Sequence, residues 1–195
     1  MPNRPRTTSR PPVGRRVVLK GAAIGALVFT IDGAELALTP REARARALPL
    51  RVLGEDEAAG LEALGDVLLP GAKTAGIVAY VDHQLAGDPG DALLIARSMG
   101  VAPPFVDFYR AGLKALDAAS RARHDAGFAA LPEAAQIELV RLISHQSPDG
   151  WVGPPAPLFY AVTRNDAIDV VYGTVEGFER LGVPYMPHIL PERPW

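Results

Sequence analysis

Between Phe105 and Leu116 the residues Phe105, Phe108, Tyr109, Gly112, Leu113 and Leu116 fall at i, i+3, i+4, i+7, i+8 and i+11. A helix of 3.6 residues per turn gathers those positions on one face; a strand scatters them over two. The pattern predicts a helix from about Pro104 to His124, the longest in the chain. Its far end, Arg121-Ala122-Arg123-His124, is basic, which suits the negative end of the helix dipole. A helix this long with one apolar stripe needs partners to cover that stripe, so the remaining segments must supply them.

The same period recurs on both sides. A helix is expected over about Glu55 to Leu69, with Ala58, Leu61, Leu64 and Leu68 inward and Glu55, Asp56 and Glu57 at its positive end. A second is expected from about Thr74 to Leu85, facing inward through Ile77, Val78, Val81 and Leu85. A short one follows at about Asp91 to Ser98. Another runs from Pro132 to about Gln146, burying Ile137, Val140 and Leu142 or Ile143. The last covers about Ala156 to Val171, with Leu158, Phe159, Val162, Ile168 and Val171 apolar. Thr39-Pro40-Arg41-Glu42 has the form of a helix start, cap then proline then acid, and predicts a short helix through about Ala47. No alternating β pattern of useful length is present. The fold class expected is therefore all-α, a compact array of about five to seven helices. Beyond Gly173 the helical period lapses, which predicts an irregular, aromatic, Gly- and Pro-rich tail over 173–195 within one helical domain spanning 55–195. Residues 32–54 read as a linker.

Residues 1–31 stand apart in charge. They hold Arg4, Arg6, Arg10, Arg15, Arg16 and Lys20 and no acid. The remaining 14 of the 20 basic residues face all 22 acidic ones, a net charge of −8. A body this acidic does not suit nucleic acid, which demands clustered Lys and Arg. A basic head, Gly14 to Lys20, runs into an apolar stretch from Gly21 to Ile31, the order of an export signal. Asp32 and Glu35 end the stretch well short of the ~20 residues of a spanning helix. The adjacent Arg15 and Arg16, two apolar residues, Leu19 and Lys20 resemble a twin-arginine signal, which is read by a receptor and moves folded proteins. This reading puts the protein in the periplasm or on the outer side of the cytoplasmic membrane, with the twin-arginine translocase as a partner. The alternative is a short buried helix of the body itself. No clean small-x-small cleavage site follows Ile31. Ala45-Arg46-Ala47 lies late, so the signal is expected to be cleaved there, cleaved poorly or kept as an anchor.

No catalytic, cofactor-binding or metal-ligating set is legible. There is no cysteine, hence no disulfide, thiolate zinc site or cysteine nucleophile within the chain. No GxGxxG, Walker or GxSxG motif occurs. Of the four histidines, His83, His124, His145 and His188, two on expected helices, His83 and His145, lack a second metal ligand at i+3 or i+4 of the kind HExxH shows, and His188 lies in the aromatic tail. The carboxylates Glu55, Asp56, Glu57, Asp166 and Asp169 read as helix caps or a solvated helix face. Asn165-Asp166 is a polar interruption that would mark a kink or a partner contact. The segment from Trp151 onward is the most unusual. It holds both tryptophans, and Phe159, Tyr160, Tyr172 and Tyr185 are expected to be semi-exposed. Trp151, Tyr172, Phe178, Tyr185, His188 and Trp195 are candidates for a partner interface; the other reading is that the tail closes over its own core.

Three blocks carry a resemblance across nearly the whole chain: Leu64-Gly65-Asp66-Val67-Leu68-Leu69-Pro70-Gly71; Ala75 to Leu85; and Val171-Tyr172-Gly173-Thr174-Val175-Glu176-Gly177-Phe178 with Gly182-Val183-Pro184-Tyr185. With the leader, they resemble the gluconate 2-dehydrogenase subunit 3 family. The resemblance implies a small, non-catalytic subunit that carries the export signal for a large flavoprotein of the glucose–methanol–choline oxidoreductase type. That large subunit would hold FAD and oxidise a sugar or polyol, and a cytochrome c subunit would often take the electrons onward. Two other readings stay open. One is an independent periplasmic helical enzyme in which His83, His145 and His188 converge with acids; the other is a lone periplasmic binding protein with a large apolar cavity.

Overall fold

The computed structural model describes residues 27–31 and 34–183. The chain enters through an antiparallel hairpin, β1 (Leu27–Ile31) and β2 (Ala34–Leu38), in register from Leu27 opposite Leu38 to Ile31 opposite Ala34. Among the described residues nine helices follow: α1 (Pro40–Ala45), α2 (Glu55–Leu68), α3 (Ala72–Ala75), α4 (Ile77–Leu85), α5 (Ile95–Ser98), α6 (Phe105–His124), α7 (Glu133–His145), α8 (Ala156–Tyr172) and α9 (Val175–Arg180). A 3-10 turn at Phe128–Ala130 joins α6 to α7. The all-α expectation holds for the body.

Helix α6 forms where its stripe demands, and all six stripe residues are buried. The start of α1 is also as its local signals dictate. Thr39 Oγ1 accepts the Glu42 N–H, and Glu42 Oε2 accepts the Thr39 N–H at 2.8 Å, closing a reciprocal cap. Helix α8 is the hub. It packs against α2, α3, α4, α5, α6, α7 and α9, and is accordingly apolar on several sides rather than one.

Five expectations are corrected. The hairpin formed by β1 and β2 replaces a strand-free leader and linker; β1 is apolar except at Thr30, so it shows little alternation of polar and apolar residues. The helix expected over 74–85 is two helices, broken at Gly76, whose φ is +89°. A side chain there would meet the Pro40 carbonyl, so this glycine lets α1 lie directly on the break. In α7 the buried face is Gln136, Leu139, Val140 and Ile143, with Ile137 only half-buried. Gln136 takes its place because its amide donates to the Phe128 carbonyl at 3.0 Å. The tail is not irregular from 173: Thr174 caps α9 by accepting the Gly177 N–H at 3.1 Å. Finally, Phe159 is fully buried rather than semi-exposed.

The Phe159 ring packs directly against Gly112, so α6 and α8 meet at a point with no room for a Cβ. Gly112→Ala should therefore destabilise the protein by about 2 kcal/mol through overpacking, despite the better helix propensity of alanine. Thermal unfolding followed by circular dichroism reads this, and an unchanged midpoint would show that the interface can yield.

Candidate functional site

Two aspartates carry the most unusual environments in the body, and neither is on a solvated face. Asp166, in the middle of α8, is completely buried. The Tyr109 hydroxyl, on α6, donates to its Oδ2 at 2.6 Å, and its Oδ1 has no hydrogen-bond partner. Burial pushes the Asp166 carboxyl up to about 7; the Tyr109 hydrogen bond and the nearby Ile95 N–H oppose the rise, and Asp169 adds to it. Burial and the same carboxylates raise the hydroxyls of Tyr109 and Tyr80 above the usual tyrosine range. The more exposed Asp169 is raised as well, by partial burial. The expectation of a solvated Asp166 fails because α8 is surrounded by other helices at that level.

Asp82, in α4, is also buried. Its carboxylate accepts three backbone N–H groups of one short segment: Arg51 at 2.8 Å, Val52 at 2.9 Å and Leu53 at 2.8 Å. Three convergent amides satisfy a buried charge, so this residue ties the α1–α2 connection to α4. Beside it, His83 is half-buried under the Phe29 ring, with centroids 4.6 Å apart. Its Nδ1 has no partner. Burial, with Arg51 nearby, holds the imidazole below the usual histidine range, against the opposing charge of Asp82.

A cleft of about 900 Å³ opens between α2, α6 and the turn at 126–130. Gly60, Leu113, Leu116 and Phe128 contribute to its lining. Much of its charge is engaged within the protein. Arg110 Nε meets Glu57 Oε1 at 3.1 Å, and Arg110 also donates to the Val52 carbonyl at 2.6 Å. Arg121 Nε meets Asp117 Oδ2 at 2.7 Å, while Asp117 Oδ1 accepts the Phe128 N–H at 3.0 Å. Asp166 does not line this cleft.

Among the described residues no three of His, Asp and Glu gather in a group able to hold a metal ion. His83 lies in the last turn of α4, His124 ends α6 and His145 ends α7. Of the candidate interface residues, Trp151, Tyr172 and Phe178 are described and each is half-buried. Trp151 folds back on the core: its indole N–H donates to the Pro154 carbonyl at 2.7 Å, and its ring lies 6.3 Å from that of Phe159. Tyr172 sits thirteen residues further along the same helix as Phe159, about 20 Å away by helical rise. Trp151 and Tyr172 therefore do not share one patch. Tyr172 and Phe178 flank the α8–α9 corner, near the exposed Leu181 and Val183. Tyr185, His188 and Trp195 lie outside the described residues, as do Arg15, Arg16, Leu19 and Lys20. Sequence reasoning missed Asp82 and Tyr109–Asp166; the one available signal was an acid placed among apolar residues of a helix.

The sequence blocks singled out earlier turn out to build corners. Leu64 is fully buried, and Asp66 Oδ1 accepts the N–H groups of Gly71 at 3.0 Å and Lys73 at 3.2 Å, turning α2 into α3. Ala75 to Leu85 spans the Gly76 break and α4. Val171 to Phe178 is the α8–α9 corner, where the Gly173 N–H returns to the Asp169 carbonyl at 2.8 Å. The sequence profile of gluconate 2-dehydrogenase subunit 3 matches residues 55–189, which takes in all three blocks and every helix from α2 to α9. No curated protein and no solved structure matches the chain. With a profile spanning more than two thirds of its length, the chain belongs to the gluconate 2-dehydrogenase subunit 3 family, subunits of a dehydrogenase complex.

Proposed function

We propose that this chain is a non-catalytic small subunit that escorts a large FAD-dependent dehydrogenase of the glucose–methanol–choline type out of the cytoplasm and stabilises it there. The observation that carries the reading is the division of the chain. The family match begins at residue 55, and the twin-arginine-like Arg15 and Arg16 lie in a basic leader outside it. The family match and the proposed address thus occupy different stretches of the chain, as expected of a carrier of a folded partner. The described body supports the same reading, since three of its perturbed groups, Asp166, Tyr109 and Tyr80, are committed to the core. FAD would reside in the large subunit, which would oxidise a sugar or polyol, with a cytochrome c subunit as the onward electron carrier.

Replacing both Arg15 and Arg16 by Lys keeps the charge but removes the paired guanidinium groups that a receptor distinguishes from ammonium. Both this chain and the flavoprotein should then accumulate in the cytoplasm, read by fractionation and by dehydrogenase activity in the exported fraction. A flavoprotein exported and active in cells lacking this chain would overturn the proposal.

A further inference from the structure

We propose that β1 is an exchangeable segment with two seats, the face of α4 in the folded body and the surface of an anionic lipid bilayer, with the hinge between Leu38 and Thr39. The inference rests on reading residues 14–31 as an export leader. Strand β1 is the end of the apolar run that follows Arg15, Arg16 and Lys20. Those basic residues favour anionic headgroups, and the apolar residues favour the acyl boundary.

The seat on the body is a weak one. Among the described residues β1 pairs with β2 alone, and an isolated two-stranded hairpin is marginal in water. On β2, Ala34, Glu35 and Leu36 are exposed. Among the described residues the hairpin meets the body through Leu27, which joins the core, the buried Leu38, and Phe29, whose ring covers His83. That cover leaves His83 Nδ1 buried without a hydrogen bond. Lifting Phe29 returns Nδ1 to water, so undocking recovers part of what it loses in apolar burial.

Beyond the hinge the chain is held firmly. Pro40 and Ala43 are buried, and Thr39 and Glu42 cap each other. Arg44 pairs with Glu62 at 2.9 Å and Arg41 with Glu176 at 3.1 Å, joining α1 to α2 and α9. The Pro40 carbonyl sits against Gly76. Release of the leader can therefore unpair 27–38 without disturbing α1. By the same contacts, cutting after Ala47 would remove a helix that the core is built on.

The chain has no cysteine, so an introduced pair forms a single defined bond. Val28 and Ala37 are register partners, and Val28→Cys/Ala37→Cys locks the hairpin when oxidised. The probe is binding of the purified full chain to vesicles of phosphatidylglycerol and phosphatidylethanolamine, followed by flotation. The reduced double variant should bind as the unmodified chain does, and the oxidised form about tenfold more weakly, because the last apolar residues are withheld. Each single-cysteine variant should ignore the oxidant. Hydrogen exchange on the unmodified chain gives a second readout: vesicles should strip protection from the amides of 27–38 and leave those of 43–48 unchanged. Equal binding of locked and unlocked chain, no vesicle binding by either, or amides of 27–38 released by the flavoprotein and not by vesicles would each overturn the inference. Neither readout uses a translocase, so it fails or holds independently of the Arg15/Arg16 experiment.

Discussion

Asp82→Ala should lower stability by about 4 kcal/mol and the unfolding midpoint by on the order of 10 °C. The substitution removes the acceptor of the Arg51, Val52 and Leu53 N–H groups at once. Leu53 is buried, so its amide has no easy access to water. An unmade hydrogen bond in such a place costs the full desolvation of the donor, about 1–3 kcal/mol. Asp82→Asn keeps the shape and one acceptor oxygen but turns an amide NH2 toward one backbone N–H; it should lose about half as much. Calorimetric unfolding of the two variants reads both values. Equal midpoints for wild type and Asp82→Ala would show that the 51–53 segment finds other acceptors.

Asp166→Asn should flatten the dependence of stability on pH. The carboxyl of Asp166 moves from its ordinary value of 3.8 in the unfolded chain to about 7 in the folded one. The folded state therefore keeps a proton that the unfolded state has released. Its contribution is fully present below pH 3.8 and is lost as pH rises toward 7, a change on the order of 4 kcal/mol. The native protein should thus lose stability between pH 4 and about 7. In Asp166→Asn most of that slope should vanish, leaving a remnant from Asp169, which is raised in the same direction. His83 acts oppositely: its pKa is lowered, so protonation on acidification destabilises. Urea unfolding at a series of pH values separates these contributions. An unaltered slope in Asp166→Asn would place the titration elsewhere. Tyr109→Phe should steepen it, because the hydrogen bond it removes favours the ionised carboxylate.

The helices were legible wherever the signal is local. The α6 stripe, the acids opening α2 and the Thr39–Glu42 cap all depend on residues within a few turns of each other. The hairpin was not legible, because Leu27 to Ile31 is apolar nearly throughout and reads equally as the end of a leader. Helix α9 was missed because a six-residue helix is too short to display a period. Within the candidate site, the leader residues and the aromatic tail were visible as composition, yet composition carries no distance. Trp151 and Tyr172 look like parts of one sticky surface in sequence and stand at opposite ends of α8 in space.

The amino-acid sequence by itself determined the existence and order of the main helices, the cap at Thr39, the charge division between leader and body, and the absence of cysteine chemistry. Each is a property of neighbouring residues or of composition. Tertiary structure alone decided that Asp166 is sealed in the core, that Asp82 holds a distant segment, and that Phe159 belongs to the interior. Whether a carboxylate meets water or a tyrosine is set by which helices close around it. The Tyr109 that meets Asp166 comes from 57 residues away. Helix periodicity states which face turns inward; only packing states what that face encounters there.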